Sequence, residues 1–146
     1  MTASHTIHVS KTISAPLKFV YNWCTDFRED DNKITGSKTK RTILQKTKQR
    51  VIYISTYRRR GRTKSAVNIV TLRPPNAWHL DFAGQEGEEI GDYRLTSLGP
   101  GKTRLDMTFK ERYKIREAPT REEDTKDINE IWDKYVAALE RDYACK

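Results

Sequence analysis

Over residues 6–14 apolar and polar side chains alternate, with Ile7, Val9 and Ile13 on one face and His8, Ser10 and Thr12 on the other. That period predicts a half-buried strand. Ser14-Ala15-Pro16 then opens a helix, with Ser14 as its cap and Pro16 in the first turn. Phe19, Val20, Trp23 and Phe27 recur at helical spacing and form its buried stripe, and the polar run Arg28-Glu29-Asp30-Asp31-Asn32-Lys33 ends it. Beyond Lys38 the period becomes two. Strands are expected over 40–45, 51–57 and 63–72, the last following a basic turn at Arg60-Gly61. Pro74-Pro75-Asn76 forces a break, Trp78, Leu80 and Phe82 alternate after it, and Gly84 and Gly87 mark the next turn.

The following two strands, 90–98 and 104–115, form a hairpin around Gly99-Pro100-Gly101. Setting Leu95 opposite Leu105 places Tyr93 opposite Met107 and Gly91 opposite Phe109 on one face, and sends Arg104, Asp106, Thr108, Lys110 and Arg112 to the other. Such alternation marks an antiparallel sheet with one covered side. In the strands over 51–57 and 63–72 both faces carry apolar residues, so the inner one is left open; a dimer contact and a curled sheet both fit. Near the end Thr120 and Glu123 form a capping box. Ile128, Ile131, Trp132, Tyr135, Val136, Leu139 and Tyr143 then follow the helix period to about Tyr143. A helix of that breadth needs a large apolar surface, and the sheet is the one available.

The chain of 146 residues suits a single α+β domain, with no repeat or linker to divide it. Hydrophobic residues are only 36% and charged residues 33%, but seven Tyr, four Phe and three Trp supply buried area for a core. No apolar run spans a membrane and no signal core opens the chain. Cys24 and Cys145 form no CxxC and suit two free thiols in a reducing cytoplasm. Charge is unevenly placed. Residues 32–80 hold no Asp or Glu but thirteen Lys and Arg, against a net charge of +8 for the whole chain. Two readings fit: an anionic partner, nucleic acid or membrane surface, or a solvated face that protects strand edges.

A first strand, a helix after Ala-Pro, an antiparallel sheet and a long last helix resemble the START-like, or SRPBCC, superfamily. The local echoes are Ile13-Ser14-Ala15-Pro16-Leu17-Lys18-Phe19-Val20-Tyr21 and Thr25-Asp26-Phe27. Tyr93-Arg94-Leu95-Thr96 and Gly101-Lys102-Thr103-Arg104-Leu105 are similar to the hairpin of its polyketide cyclase and coenzyme-Q-binding branches. The resemblance implies a helix-grip fold, a curved antiparallel sheet of about seven strands around the C-terminal helix, often with a hydrophobic cavity between them. It implies no shared catalytic signature. After Asp-Phe this chain has Arg28-Glu29-Asp30-Asp31, a departure from the coenzyme-Q-binding branch that weighs against a quinone.

Glu111 lies in phase with Leu105, Met107, Phe109 and Tyr113 and should point to the covered face, where a carboxylate needs a partner or a proton. It is a candidate polar anchor or general acid/base, with Tyr93 and Tyr113 offering hydroxyls to the same space. Asp26, Glu29, Asp30 and Asp31 lack the spacing of a calcium loop and suit a solvated loop paired with lysines and arginines. His5, His8 and His79 do not cluster as a ligand set, His8 and His79 are out of phase with the apolar faces of their strands, and no metal site or cofactor is expected. No nucleophile elbow or phosphate loop is present.

Three readings follow. In the first, a small hydrophobic or aromatic ligand (a lipid, polyketide or quinone-like molecule) lies between sheet and helix. Trp78, Leu80, Phe82, Tyr93, Leu95 and Met107 would line the site from one side. Phe109, Glu111, Tyr113, Trp132, Tyr135 and Leu139 would complete it. In the second, a cyclase or dehydratase uses the same cavity, with Glu111, Tyr93 or Tyr113 moving protons. In the third, Arg58, Arg59, Arg60, Arg62 and Lys64, beside Tyr53 and Tyr57, bind an anionic partner through charge and stacking. Monomer and homodimer both fit the pattern.

Overall fold

In the computed structural model, which describes residues 3–146, the hairpin has the register that the alternation predicts: Leu95 opposes Leu105, Tyr93 opposes Met107 and Gly91 opposes Phe109. Its strands are β6 (Gly87–Gly99) and β7 (Lys102–Tyr113), within a seven-stranded antiparallel sheet ordered β1-β7-β6-β5-β4-β3-β2. The others are β1 (Ala3–Ile13), β2 (Lys40–Lys46), β3 (Arg50–Arg59), β4 (Arg62–Arg73) and β5 (Ala77–Gly84). Between β1 and β2 come α1 (Leu17–Thr25) and the short α2 (Asn32–Thr35), and α3 (Arg121–Ala144) ends the chain. This is a helix-grip fold. Among the described residues no helix is long and apolar enough to cross a membrane.

The core forms where the clean alternation predicts it. Ile7, Val9, Ile13, Leu95, Leu105, Met107 and Phe109 share the inner face, and Leu139 of α3 packs on them. Gly91 has a local reason. A side chain there would press into the rings of Tyr93 and Phe109, whose carbons lie 3.2 and 3.3 Å from the position its Cβ would take. The middle strands have an inner face too. Val51 and Tyr53, with Ala66, Asn68 and Val70, point inward, while Ile52, Ile54, Val67 and Ile69 face out and stay half-exposed or exposed.

Several expectations are corrected. Ser14 does not cap α1: Pro16 holds that position without a side-chain cap, and the Ser14 amide donates to Glu140 on α3 instead. The helix stops at Thr25, so Phe27 belongs to the loop, and the polar break contains α2. β7 ends at Tyr113 rather than at residue 115, because its neighbours run out: Gly87 opposite Tyr113 begins β6, and Ala3 opposite it begins β1. On α3 the capping box of Thr120 and Glu123 forms, but Ile131 and Tyr143 lie exposed, since α1 and the sheet cover a narrower stripe than the period offers. The turn from β3 to β4 has φ of 53° at Arg60 and 75° at Gly61, the two-residue geometry that suits the twist of a hairpin.

Candidate ligand cavity

Beneath α3 the inner face does not close everywhere. A cavity of about 310 Å³ lies between β3–β6, α1, the loop after it and α3. Its walls are aromatic: Trp23, Phe27, Tyr53, Trp78, Tyr93, Trp132 and Tyr135 all reach it, including all three tryptophans of the chain. Trp78 and Tyr93 stack, with ring centroids 4.9 Å apart and planes 10° from parallel, and Trp132 stands against Tyr135 at 5.1 Å. Val70 and Leu80 complete the sheet wall.

Polar groups gather on one side. Arg41 of β2 enters the lining, its guanidinium carbon 4.5 Å from the centroid of Tyr53 and 5.3 Å from that of Phe27. The charge sits over two ring faces, where it is attracted to their π density, and Asp31 holds it at 2.5 Å. Burial raises the Tyr53 and Tyr135 hydroxyls, with Arg41 pulling the other way, and raises Tyr93 well above the ordinary tyrosine range. Burial also pushes the Cys24 thiol up, which keeps it protonated.

The acidic loop over 26–31 is a clip rather than a cation loop. Lys46 binds Asp26 at 3.0 Å and the Phe27 carbonyl at 2.8 Å, Arg41 donates to the Arg28 carbonyl, and Glu29 accepts from the Ile43 amide. These contacts fasten the loop to the edge strand β2 and hold Phe27 over the cavity. Trp23 donates to Asp142 at 2.8 Å and Lys134 donates to the Thr35 carbonyl, tying α1 and α2 to α3.

Of the twelve residues expected to line a ligand site, Trp78, Leu80, Tyr93, Trp132 and Tyr135 reach the cavity. Leu95, Met107, Phe109 and Leu139 are sealed in the core, and Phe82 packs against it half-buried. The first four lie where α3 packs on β1 and α1 packs on β6 and β7, which leaves no gap there. Trp23, Phe27, Tyr53 and Arg41 were not expected. Trp23 and Phe27 read as a helix's buried stripe, and Arg41 is one of thirteen alike charges whose order along the chain does not set it apart.

Glu111 and Tyr113 belong to a second place on the same face. Glu111 Oε2 lies 3.0 Å from His5 Nε2, which is also 2.7 Å from Asp124 Oδ2, and Tyr113 donates to Asp124 at 2.8 Å. Glu89 stands opposite Glu111 in the β6–β7 ladder. Burial raises all three carboxyls, and the remaining negative charges of the group raise Glu111 and Asp124 further. The sequence pattern gave His5 no partner; the structure places it between Glu111 and Asp124. The signal was present: His5 is in phase with Ile7 and Val9, and extending the hairpin register by two residues, to the next pair on the same face, brings Glu89 to Glu111.

The basic residues expected to bind an anionic partner crowd the β3–β4 turn, where Arg59, Arg60, Arg62 and Lys64 line a groove with Arg116 and Glu117. Arg59 pairs with Glu86, Arg60 with Glu117, and Arg58 donates to the Gly61 carbonyl. The stacking partners are not beside them. Tyr53 is buried in the cavity wall, and Tyr57 gives its hydroxyl to Glu86, which together with burial pushes its pKa up to about 12.

Neither a family model nor a curated protein matches the sequence. Solved structures do match the fold. A START superfamily protein from Mycobacterium smegmatis superposes with a TM-score of 0.72 at 16% identity, over 96% of this chain and 97% of that one. The Zhui aromatase/cyclase from Streptomyces sp. R1128 gives 0.70 at 14%, over 97% and 94%. Ara h 8.0201 gives 0.72 at 14%, over 99% and 100%. The chain thus has the helix-grip architecture of START-like proteins. Identities this low carry the fold and leave activity to the site.

Proposed function

We propose that this chain binds a compact hydrophobic ligand with a flat aromatic body in the cavity under α3. The observation that carries the reading is the lining: seven aromatic side chains around one space, with Arg28, Arg41 and three aspartates among its polar residues and the Arg41 guanidinium over two of the rings. A volume of about 310 Å³ is at the small end for ligand sites. It suits a fused-ring molecule better than a diacyl lipid. Apolar burial at roughly 25 cal/mol per Å² supplies the affinity. Arg41 supplies orientation: Asp31 and the Arg28 carbonyl both take Nη1, and its other guanidinium N–H groups can donate to an acidic or enolic oxygen of the ligand.

Binding accounts for the site better than turnover. Of the three groups considered for proton transfer, Tyr93 alone reaches the cavity, while Glu111 and Tyr113 are engaged with His5 and Asp124. The two cysteines are unpaired, which supports a reducing compartment.

Because every tryptophan touches the cavity, intrinsic fluorescence reports on its contents. Titration with hydroxylated fused-ring aromatics is expected to change tryptophan emission saturably, and Arg41→Met should weaken acidic probes more than neutral ones. Native mass spectrometry of the purified protein should show a small molecule that is lost on denaturation. Flat emission with every probe up to roughly 100 μM, where even weak specific binding would register, would overturn the reading.

A further inference from the structure

We propose that His5, Glu111 and Asp124 form a site for a divalent transition-metal ion, separate from the ligand cavity. Three elements bring the donors together: β1 carries His5, β7 carries Glu111, and the first turn of α3 carries Asp124. Their ligating atoms lie within 4.8 Å of one another, and the three side chains are only 12%, 8% and 11% exposed. One imidazole and two carboxylates in this arrangement suit zinc and its first-row neighbours, whereas calcium and magnesium prefer oxygen alone.

The charges leave a role for such an ion. Glu89, Glu111 and Asp124 place three carboxyls in one half-buried region, and among the described residues no lysine or arginine forms an ion pair with any of them. His5 Nε2 faces two carboxylate oxygens at 3.0 and 2.7 Å, but its single proton serves one of them well. A dication there replaces that proton, takes the neutral nitrogen as a ligand and matches the charge of both carboxylates. Bonds of about 2.0–2.2 Å in a tetrahedral site separate ligand atoms by roughly 3.3–3.6 Å, so the two carboxylate oxygens need to part from His5 Nε2 by only about 0.3–0.9 Å.

The outer shell fits as well. Tyr113 donates to Asp124 at 2.8 Å and approaches Glu111 at 3.3 Å, the kind of hydrogen bond that orients a ligating carboxylate. Asp124 sits where the positive end of the α3 dipole favours its anionic form. Three protein ligands leave a coordination position open to water or to an anion. The bound ion would also fasten the start of α3 to both strands.

The test uses the full chain without an affinity tag, stripped with chelator and titrated with Zn²⁺ by calorimetry. One equivalent should bind saturably and raise the melting temperature. Asp124→Asn and His5→Gln should each weaken Zn²⁺ by more than roughly 100-fold, and Tyr113→Phe by about 10-fold. His79→Gln should bind as the parent does. Histidine ring-nitrogen NMR of the unaltered protein gives a readout that no folding defect can mimic: of three histidines, His5 alone should show its Nε2 resonance move on adding Zn²⁺. Absence of saturable binding would overturn the proposal, as would full affinity in both ligand variants or an unmoved His5 nitrogen. Aromatic-probe binding in the cavity does not enter the readout, so the two proposals fail separately.

Discussion

The β1–β7 end of the sheet and the β6–β3 run beside it are covered by the helices in different ways. On the first, α3 packs on β1 and α1 on β7, and Leu139 joins Ile7, Leu105 and Met107 in one sealed core. On the second, Trp132 and Tyr135 face Tyr53 and Val70 across an open space. The sequence pattern differs in step. The packed end alternates cleanly between apolar and polar residues, while two of the strands that floor the cavity, β3 and β4, carry apolar residues on both faces and much of the positive charge. A sheet packed on one side writes its inner face into the sequence. A sheet that must also shape a cavity depends on large aromatics held apart by other elements, here α1 and the loop clipped to β2.

The comparison breaks first at the core. Leu105 is fully buried opposite Leu95, and Leu105→Ala should cost about 2–5 kcal/mol in urea denaturation. Phe27→Ala removes more atoms but from a ring that already borders open space, and its cost should be clearly smaller. Equal losses would mean that the cavity run is packed as tightly as the other end.

Thiol chemistry gives the next effect. Cys24 lines the cavity with its thiol pushed up by burial, whereas Cys145 is exposed. A disulfide reagent should therefore modify Cys145 at least roughly 10-fold faster than Cys24, and an aromatic probe in the cavity should slow Cys24 further. Rapid labelling of Cys24 in a Cys145→Ser variant would show a cavity already open to solvent.

The smallest effect is on the outer face. His79 lies between Asp92, at 2.7 Å, and Asp81, at 3.3 Å, and the hydrogen bond to Asp92 leads in raising its pKa above the ordinary histidine value. Its stabilisation is then full below about pH 6.5 and lost as the pH rises through the folded-state value. His79→Asn should lower stability in mild acid by less than about 1 kcal/mol and leave it unchanged in alkali, followed by thermal melts across pH. A loss that persists in alkali would assign His79 a packing role instead.

Strand order in the hairpin, the capping box on Thr120 and the face of Glu111 were all legible in the sequence, because each depends on neighbours a few residues apart or on a ladder whose register a short turn sets. The cavity was legible only in part. Trp78 and Tyr93 follow from alternation, but Arg41 stands among other basic residues, and its place beside Tyr53 depends on a loop ten residues earlier folding back to supply Asp31. The His5 cluster was missed for a related reason: its members are 106 and 119 residues apart.

By itself, then, the sequence determined which residues turn inward wherever one face alone is apolar, since periodicity is a local property that the polypeptide's geometry imposes; in β3 and β4, apolar on both faces, the structure decided that as well. Only the tertiary structure decided which of those inward residues touch one another and which border a gap. That outcome is set by how far α3 is held from each strand, a distance governed by the volumes of side chains drawn from α1, the loop and the sheet together. Leu95 and Tyr93 are both inward on β6, yet one is sealed and the other faces the cavity.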